Sequence, residues 1–318
     1  MDTRRLGSNG PTVSAIGLGC MGMSEFYGRS DRDASLATIA AALDAGVTLF
    51  DTGDFYGMGD NEMLLAEALR GKRDRAFLQV KFGPQRGPDG AFLGIDARPA
   101  AVKTALAYSL RRLGTDHVDL YQTGLDPAVP IEETIGAIGE LVQQGYVRHV
   151  GVTNVDAETI RRAHATHPVT ALQFEYSLMS RDVEQDVLPL CRELGIGVTA
   201  YGVLSRGLLT GSKGTGEGDL RNSYYPRFRG ENLAHNERLA NALAGVADRE
   251  GITAAQAAIA WVASRGEDVV PLVGARTVGR LREALAAPLQ LSPDALAAIE
   301  AAVPEAAVRG GRFMSATE

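Results

Sequence analysis

The stretch LFDTGDFYG (residues 49–57), together with AFLQVKFG (residues 76–83), decides the fold of this 318-residue chain. Each opens with an apolar run typical of a buried β-strand and reaches a charged residue, Asp51 in the first and Lys81 in the second. Tyr56 follows in the loop after Asp51. A desolvated ammonium needs a carboxylate beside it, and its charge favours the ionised form of a nearby phenol. The pattern predicts a proton-exchanging tyrosine beside an Asp51–Lys81 pair, or else an ordinary ion pair beside a solvated loop tyrosine.

Short apolar segments without polar alternation recur along the chain, as is typical of parallel strands buried on both faces. The predicted strands are 15–18, 47–51, 76–81, 118–122, 149–153, 171–174, 197–201 and 269–273. The helical patterns between them are 32–45, 61–70, 99–113, 131–145, 156–165, 182–194 and 253–264. This alternation predicts a (β/α)8 TIM barrel that forms a single domain over residues 1–318.

An open, doubly wound sheet is the competing architecture. Residues 17–22 match the spacing G-x-G-x-x-G of a dinucleotide-binding turn. No helix pattern follows them at once, because residues 23–30 have the composition of a loop. We therefore expect a sharp turn at a strand end, which favours the barrel.

Two segments outside the repeating pattern have their own predicted roles. Asn9-Gly10 lies between short apolar segments, which indicates an N-terminal β-hairpin that plugs the bottom of the barrel. Residues 205–232, after the seventh strand, form the longest irregular stretch. Long loops on the active face of a barrel are usually lids or binding loops, although a solvated insertion fits the same composition.

Composition places limits on partners and location. The net charge is −7 and no polybasic cluster is present, which argues against nucleic acid or an anionic membrane as a partner. No apolar run has the length of a membrane span, and the first residues lack the apolar core of a signal peptide. Two cysteines give neither a disulfide framework nor a metal-binding spacing. We expect a cytoplasmic protein with no metal; the oligomeric state stays open.

Polar residues follow several predicted strands at the end where barrels carry their chemistry. Asn154 and Gln173 offer amide donors and acceptors that suit a flat carboxamide. Tyr201 offers an aromatic face. Arg276 and Arg280 lie just past the eighth strand, with Thr277 between them, where barrels often bind phosphate. Each residue alone has an ordinary structural explanation, but the joint placement of all of them at one rim is much harder to produce by chance.

The chain resembles the aldo-keto reductase family over nearly its whole length. The resemblance rests on the two opening segments, on Asn61-Glu62, and on segments that match in the same order. These are SLRRL (109–113), VDLYQ (118–122), VPIEET (129–134), GVTN (151–154), QFEYS (173–177) and VPLVGAR (270–276). The resemblance implies a (β/α)8 barrel that binds NADPH without a Rossmann fold and reduces a small-molecule carbonyl by hydride transfer.

The resemblance also implies roles for individual residues. Tyr56 matches the proton donor, and Asp51 and Lys81 match the pair that tunes it. The cofactor residues that it implies are Met21 and Asp51 beside the cofactor, Thr153, Asn154 and Gln173 at the carboxamide, and Tyr201 on the nicotinamide ring. Gly202, Leu204 and Arg206 match the segment along the pyrophosphate, and Gly274, Arg276, Thr277, Arg280 and Glu283 match the adenosine 2′-phosphate end.

Two positions depart from the family pattern. Gly124 stands where the family normally has a histidine beside the substrate oxygen, and Ala284 stands where an adenine-binding asparagine is common. Glycine cannot replace an imidazole as a hydrogen-bond donor. Three functions remain open: a carbonyl reductase, a redox-sensing or regulatory protein with little turnover, and a biosynthetic reductase of a specialised substrate such as an enone.

Overall fold

The computed structural model describes residues 1–24, 26–214 and 216–313. Its strands lie between Thr3 and Gly274. They are β1 (Thr3–Arg5), β2 (Thr12–Ser14), β3 (Gly17–Gly19), β4 (Leu49–Gly53), β5 (Phe77–Lys81), β6 (Pro84–Arg86), β7 (Phe92–Ile95), β8 (Val118–Thr123), β9 (Val147–Thr153), β10 (Val169–Glu175), β11 (Gly197–Tyr201) and β12 (Val269–Gly274). Eight of them close a parallel barrel in the order β3-β4-β5-β8-β9-β10-β11-β12, with β12 paired to β3. The predicted barrel is confirmed.

Helices surround the barrel. They are α1 (Arg32–Asp44), α2 (Asp60–Ala68), α3 (Pro99–Leu113), α4 (Ile131–Gln143), α5 (Ala157–Thr166), α6 (Val187–Leu194), α7 (Arg221–Tyr224), α8 (Gly230–Arg249), α9 (Ala254–Ala263), α10 (Val278–Leu285) and α11 (Pro293–Ala302). In the part of the chain that the structure describes, none has the length and apolar character that crossing a membrane requires.

The N-terminal hairpin closes the end of the barrel opposite the cavity described below. β1 and β2 pair antiparallel, and Leu6 and Val13 of the hairpin pack with Leu49 and Val270 at the starts of β4 and β12. Leu6 is fully buried, and the Ser8 amide donates to the Gly195 carbonyl at 2.9 Å, just ahead of β11. The predicted plug therefore contributes to the apolar interior.

The segment predicted as a long irregular loop at residues 205–232 is largely helical. It contains 3₁₀ turns at Ser205–Thr210 and Pro226–Phe228 with α7 between them, and α8 begins at Gly230. The expected irregular structure is therefore confined mainly to residues 211–214 and 216–220, where the glycines are concentrated, while the aromatics lie in or beside the short helical turns. The segment also reaches the loop after β3, where the Leu220 amide donates to the Phe26 carbonyl at 3.0 Å.

The remaining corrections concern elements with weak sequence signals. The helix predicted over 182–194 is split, with a 3₁₀ turn at Asp182–Glu184 before α6 begins at Val187. The pattern missed the β6–β7 hairpin and the helices α8, α10 and α11. The first half of α8, GENLAHNERL, is polar and has little of the apolar periodicity on which a helix prediction depends.

Candidate active site

A cavity of about 830 Å³ opens at the carboxyl ends of the barrel strands. The catalytic candidates Asp51, Tyr56 and Lys81 all contribute to its lining. The cofactor candidates in the same lining are Met21, Thr153, Asn154, Gln173, Tyr201, Gly202, Leu204, Arg206, Gly274, Arg276, Thr277, Arg280 and Glu283. The structure thus brings together every residue that the sequence predicted for the site.

Asp51 and Lys81 form a two-pronged ion pair on neighbouring strands. Lys81 Nζ donates to Asp51 Oδ1 at 2.6 Å and to Oδ2 at 2.8 Å. Only 5% of Asp51 and 7% of Lys81 remain exposed. Burial lowers the pKa of the Lys81 ammonium, and the Asp51 carboxylate opposes that effect. The pair is therefore the buried carboxylate–ammonium arrangement that the two opening segments predict.

Two glutamine side chains hold the same carboxylate in place. Gln173 Nε2 donates to Asp51 Oδ1 at 2.8 Å, and Gln79 Nε2 donates to it at 3.0 Å. Gln79 also donates to Thr199 Oγ1 at 3.2 Å across the barrel interior. The sequence analysis missed Gln79, although a glutamine inside an apolar strand is itself a signal, because a buried amide needs partners.

Tyr56 lies directly after β4, in a tight turn that returns the chain toward the cavity. Its side chain is buried, and Lys81 Nζ lies 5.0 Å from the centre of its ring. Gly57 and Met58, the next two residues, both have φ of 55°, a left-handed conformation that glycine adopts freely and methionine rarely does. The turn brings the phenol to the same part of the cavity as the ion pair.

Amide and hydroxyl groups line the cavity on the side of β9 to β11. Asn154 Nδ2 donates to Thr153 Oγ1 at 3.1 Å, and the Tyr201 hydroxyl donates to Asn154 Oδ1 at 3.0 Å. Asn154 has a φ of 53°, a left-handed conformation that asparagine tolerates better than most residues. This conformation follows the end of β9 directly and presents the amide at the barrel rim.

Gly124 lies in the cavity lining, one residue past the end of β8. A Cβ added there would lie 3.3 Å from the Thr153 carbonyl oxygen, so a side chain is possible only if its neighbour gives slightly. The hydroxyl of Thr123 instead donates to the Phe82 carbonyl at 3.1 Å and is buried. Among the described residues, no histidine lines the cavity.

The far end of the cavity has the features of a phosphate site. Thr277 caps α10, its Oγ1 accepting from the Arg280 amide at 3.4 Å. Arg280 is 72% exposed at its side chain and pairs with Glu283 at 2.8 Å. Arg276 Nη1 donates to the Tyr27 carbonyl at 3.0 Å. A helix N-terminus with two guanidinium groups beside it suits a phosphate, although Arg276 also holds the loop after β3.

A buried cluster of one carboxylate and three guanidinium groups lies beside the Tyr201 end of the cavity. Glu175, at the end of β10, lies 3.0 Å from Arg206 and 3.1 Å from Arg312, and 3.9 Å from Arg227. Burial raises the pKa of Glu175, but the three guanidinium groups outweigh it and hold the pKa below its usual value.

Arg312 is the main residue of this region that sequence reasoning missed. It lies beyond the last predicted helix, in a segment without periodicity or a recognisable motif. A carboxylate at the end of a buried strand, Glu175, was an available signal that some cation had to reach it. Nothing in the sequence indicated that this cation would come from the C-terminal segment.

Part of the cavity wall is apolar. Its residues are Phe26, Phe55, Phe82, Pro84, Ile95, Leu125 and Phe313. The β6–β7 hairpin extends this surface outward, because Phe92 and Leu93 at its tip are exposed. Within residues 1–24, 26–214 and 216–313, no group of three or more His, Cys, Asp or Glu side chains could hold a metal ion.

Comparison with known proteins identifies the family. The model of the Aldo/keto reductase family matches residues 15–304. A protein named probable aldo-keto reductase 1, from Glycine max, is 41% identical over 318 residues, covering 97% of this chain and 91% of that protein.

Solved structures agree with this result. A glycerol dehydrogenase from Gluconobacter oxydans superposes with a TM-score of 0.84 at 28% identity, covering 96% of both chains. An aldo/keto reductase from Klebsiella pneumoniae in complex with NADP and acetate superposes with a TM-score of 0.76 at 30% identity, covering 98% of both. This chain belongs to the aldo/keto reductase family, whose members are NADP-dependent oxidoreductases.

Proposed function

We propose that this protein reduces the carbonyl group of a small molecule to an alcohol, with Tyr56 as the proton donor. The observation that carries the proposal is the buried Asp51–Lys81 pair, at 2.6 Å, next to the Tyr56 ring. A tyrosine beside a buried ammonium can donate a proton and recover it, because the positive charge stabilises the phenolate.

The residues of the cavity fit a nicotinamide dinucleotide. We propose that the carboxamide is held by Thr153, Asn154 and Gln173, and the 2′-phosphate by Arg276 and Arg280 at the start of α10. The N-terminus of a helix with guanidinium groups near it supports this assignment, since both favour an anion. When bound, NADPH supplies a hydride to the carbonyl carbon.

The protein's own residues then control the proton. Tyr56 donates its hydroxyl proton to the carbonyl oxygen as negative charge develops there. Lys81 stabilises the resulting phenolate, and Asp51 holds Lys81 in position through both carboxylate oxygens. Gln79 and Gln173 fix Asp51 in turn, so the geometry is set before the substrate arrives.

Gly124 limits how well this site polarises a carbonyl. With no side chain there, Tyr56 donates to the substrate oxygen either alone or together with a bound water. Losing one oxyanion donor typically costs about 10²–10³ in turnover. We therefore propose slow reduction of generic aldehydes and faster reduction of a substrate that brings its own polar group close to Gly124.

The apolar wall indicates the kind of substrate. Aromatic and aliphatic side chains line much of the cavity: the Phe55 ring lies 4.7 Å from the Tyr56 ring, and Phe82 and Leu125 lie directly after Lys81 and Gly124. Such a wall stabilises an apolar ligand by burial and disfavours one with several hydroxyl groups, which would lose hydrogen bonds to water. We propose an uncharged, largely apolar aldehyde or ketone; an enone is also compatible with the space at Gly124.

A second function is a cofactor-binding regulatory protein with little turnover. The observation that favours it is the same Gly124, since a protein that only senses the cofactor needs no donor to a substrate oxygen. The two functions differ in one measurable quantity, the rate of NADPH consumption with a carbonyl compound present.

The test is NADPH consumption with a panel of aldehydes, ketones and enones, using Tyr56→Phe and the matched control Tyr224→Phe. Tyr224 is exposed on α7, so its substitution should leave the rate unchanged. Tyr56→Phe should lower the rate by about 10²–10⁴-fold, the usual contribution of general acid catalysis, while the Kd for NADPH stays the same. An unchanged rate in Tyr56→Phe would contradict its role, and NADPH binding without turnover on any compound would favour the regulatory function.

A further inference from the structure

Arg312 connects the C-terminal segment to the residues proposed to hold the nicotinamide. Its Nη2 donates to the Tyr201 hydroxyl at 2.7 Å and also to Asn154 Oδ1. Its Nε donates to Glu175 Oε2 at 3.1 Å. The guanidinium carbon lies 4.7 Å from the ring centre of Phe174. These contacts hold the guanidinium in a defined position, since Nε and Nη2 donate hydrogen bonds and the Phe174 ring lies against the group.

The charge in this region does not balance. Glu175 is the only carboxylate that ion-pairs with Arg206, Arg227 or Arg312 among the described residues. Three cations thus share one anion, which leaves an excess of positive charge next to Asn154 and Tyr201. Glu175 is buried and the three arginine side chains are only 9–15% exposed, so solvent screens that excess weakly.

This excess matters because the two redox forms of the cofactor differ in charge at the ring. The oxidised nicotinamide ring is a cation and the reduced ring is neutral, while the rest of the dinucleotide is identical. A cation fixed against the residues that hold the ring therefore repels only the oxidised form.

We infer that Arg312 makes the cofactor site favour NADPH over NADP⁺, through the charge that it holds against Asn154 and Tyr201. The inference rests on the proposed function, because it takes Asn154 and Tyr201 as the nicotinamide residues. Arg312 is in this sense a specificity-determining residue: it weakens the binding of the oxidised cofactor, so at equal concentrations of the two forms the site holds mainly NADPH.

A purely structural role for Arg312 predicts a different change in the two dissociation constants. If the side chain only fastens the C-terminal segment, its loss weakens both cofactor forms equally, because both share the adenosine and phosphate contacts. The ratio of the two dissociation constants, Kd(NADP⁺)/Kd(NADPH), separates the two roles without any measurement of turnover.

The experiment titrates the full-length protein with NADPH and with NADP⁺ by calorimetry. Arg312→Gln removes the charge and should lower the ratio by about tenfold, which corresponds to about 1.4 kcal/mol. Arg312→Lys keeps the charge and should keep the ratio within about threefold of the wild type. Arg309→Gln is the matched control, since Arg309 is an exposed arginine of the same segment and is not part of the contacts that Arg312 makes with Asn154, Tyr201 and Glu175.

A second variant changes the charge in the opposite direction. Glu175→Gln removes the one anion of the cluster and leaves Arg312 in place, so the ratio should rise. The inference is overturned if Kd(NADP⁺)/Kd(NADPH) is unchanged in Arg312→Gln. It is also overturned if this ratio falls as much in Arg312→Lys as in Arg312→Gln, or if it does not rise in Glu175→Gln. If Arg312→Gln does not fold, the Lys and Glu175 variants decide. Failure of the wild type to bind either cofactor contradicts the proposed function instead.

Discussion

At the scale of single residues, Asp51 is the side chain on which the site depends most. One of its oxygens accepts hydrogen bonds from Lys81, Gln79 and Gln173, and the other accepts from Lys81. The Asp51 side chain is buried inside the barrel, and these donors compensate for the water that it has lost. Changing any one of the donors therefore affects both stability and chemistry.

Lys81→Met should destabilise the protein strongly, because it leaves the Asp51 carboxylate with two neutral amides. Removing one partner of a buried ion pair costs about 3–5 kcal/mol. Lys103→Met is the matched control, since Lys103 pairs with Glu140 at 2.6 Å on the surface and is 46% exposed. Exposed pairs contribute about 0.2–1 kcal/mol. Denaturant unfolding measures the free energy of unfolding of both variants. Equal losses of this free energy would contradict the buried-pair interpretation.

Asp54 gives the protein a dependence on pH. Its Oδ1 is buried without a hydrogen-bond partner among the described residues, and burial together with the nearby Glu62 raises the pKa of Asp54 to about 7. Between about pH 4 and pH 7 the folded protein keeps a proton that the unfolded chain has released. The free energy of unfolding therefore falls as the pH rises through that range.

Asp54→Asn should remove this fall in the free energy of unfolding with rising pH. Relative to the wild type, the variant should gain about 1–3 kcal/mol of stability between pH 5 and pH 8, because an amide does not ionise. Asp60→Asn, at an exposed carboxylate on α2, should show no such gain. Unfolding curves at the two pH values provide the measurement. A constant difference between Asp54→Asn and the wild type would show that Asp54 is already ionised at pH 5.

At the scale of elements, the proposed 2′-phosphate site makes α10 the helix that we expect to set the cofactor preference. The helix begins at Val278, and Arg276 and Arg280 lie on either side of its cap, Thr277. NADPH differs from NADH only by the 2′-phosphate, so contacts to that phosphate decide the preference. Charge-assisted hydrogen bonds contribute about 1.5–3 kcal/mol each.

We predict that the wild type binds NADPH at least about tenfold tighter than NADH, and that Arg280→Ala or Arg276→Ala reduces this preference. Arg282→Ala is the control, because Arg282 is exposed on α10 and does not line the cavity. Direct titration of each variant with both cofactors gives the preference. Equal affinity of the wild type for NADPH and NADH would refute the assignment of the 2′-phosphate site.

The sequence predicts elements well where local patterns decide them and poorly where distant packing does. The barrel strands are short apolar runs, and α3 begins at a proline and ends at a glycine, so both are visible locally. The β6–β7 hairpin has exposed apolar residues and a glycine in its second strand, so no alternation marks it. The helix α8 is polar in its first half and is defined by its packing against α9, α11 and the 3₁₀ turn at Ser205–Thr210.

The residues of the candidate site also differ in whether the sequence predicts them. Asp51, Lys81 and Tyr56 are predictable because strand ends meet at one rim, and their chemistry follows from their types. Arg312 is not predictable, since its place in the site depends on how the C-terminal segment crosses the barrel mouth. The partners of Glu175 differ in the same way: Arg206 was a predicted cofactor residue, whereas Arg227 and Arg312 were not predicted for the site.

At the scale of the whole molecule, stability and chemistry lie at opposite ends of the barrel. The hairpin β1–β2 buries Leu6 among Val13, Leu49 and Val270 at one end, and the cavity opens at the other. The hairpin itself carries no residue of the candidate site, although Tyr201 packs against the same apolar cluster. Changes there should therefore alter the free energy of unfolding without altering cofactor binding.

Leu6→Ala tests this separation. A fully buried leucine replaced by alanine costs about 2–5 kcal/mol, through lost burial and the cavity left behind. The Kd for NADPH should stay within about twofold of the wild type under conditions where the variant is folded. Leu93→Ala is the control, because Leu93 is 68% exposed and should cost little stability. A large loss of NADPH affinity in Leu6→Ala would show that the two ends are coupled.

The pairing of β12 with β3 has a consequence for how the chain is made. Leu18 and Val273 are partners in that pairing, so the first and last strands of the barrel meet only after nearly the whole chain has left the ribosome. Until then β3 and β11 each present an unpaired edge, which can associate with other nascent chains. During synthesis, protection of these two edges therefore depends on delayed folding of the earlier strands or on a chaperone. A chain that stops before Val269 lacks β12, so both of its edges stay unpaired.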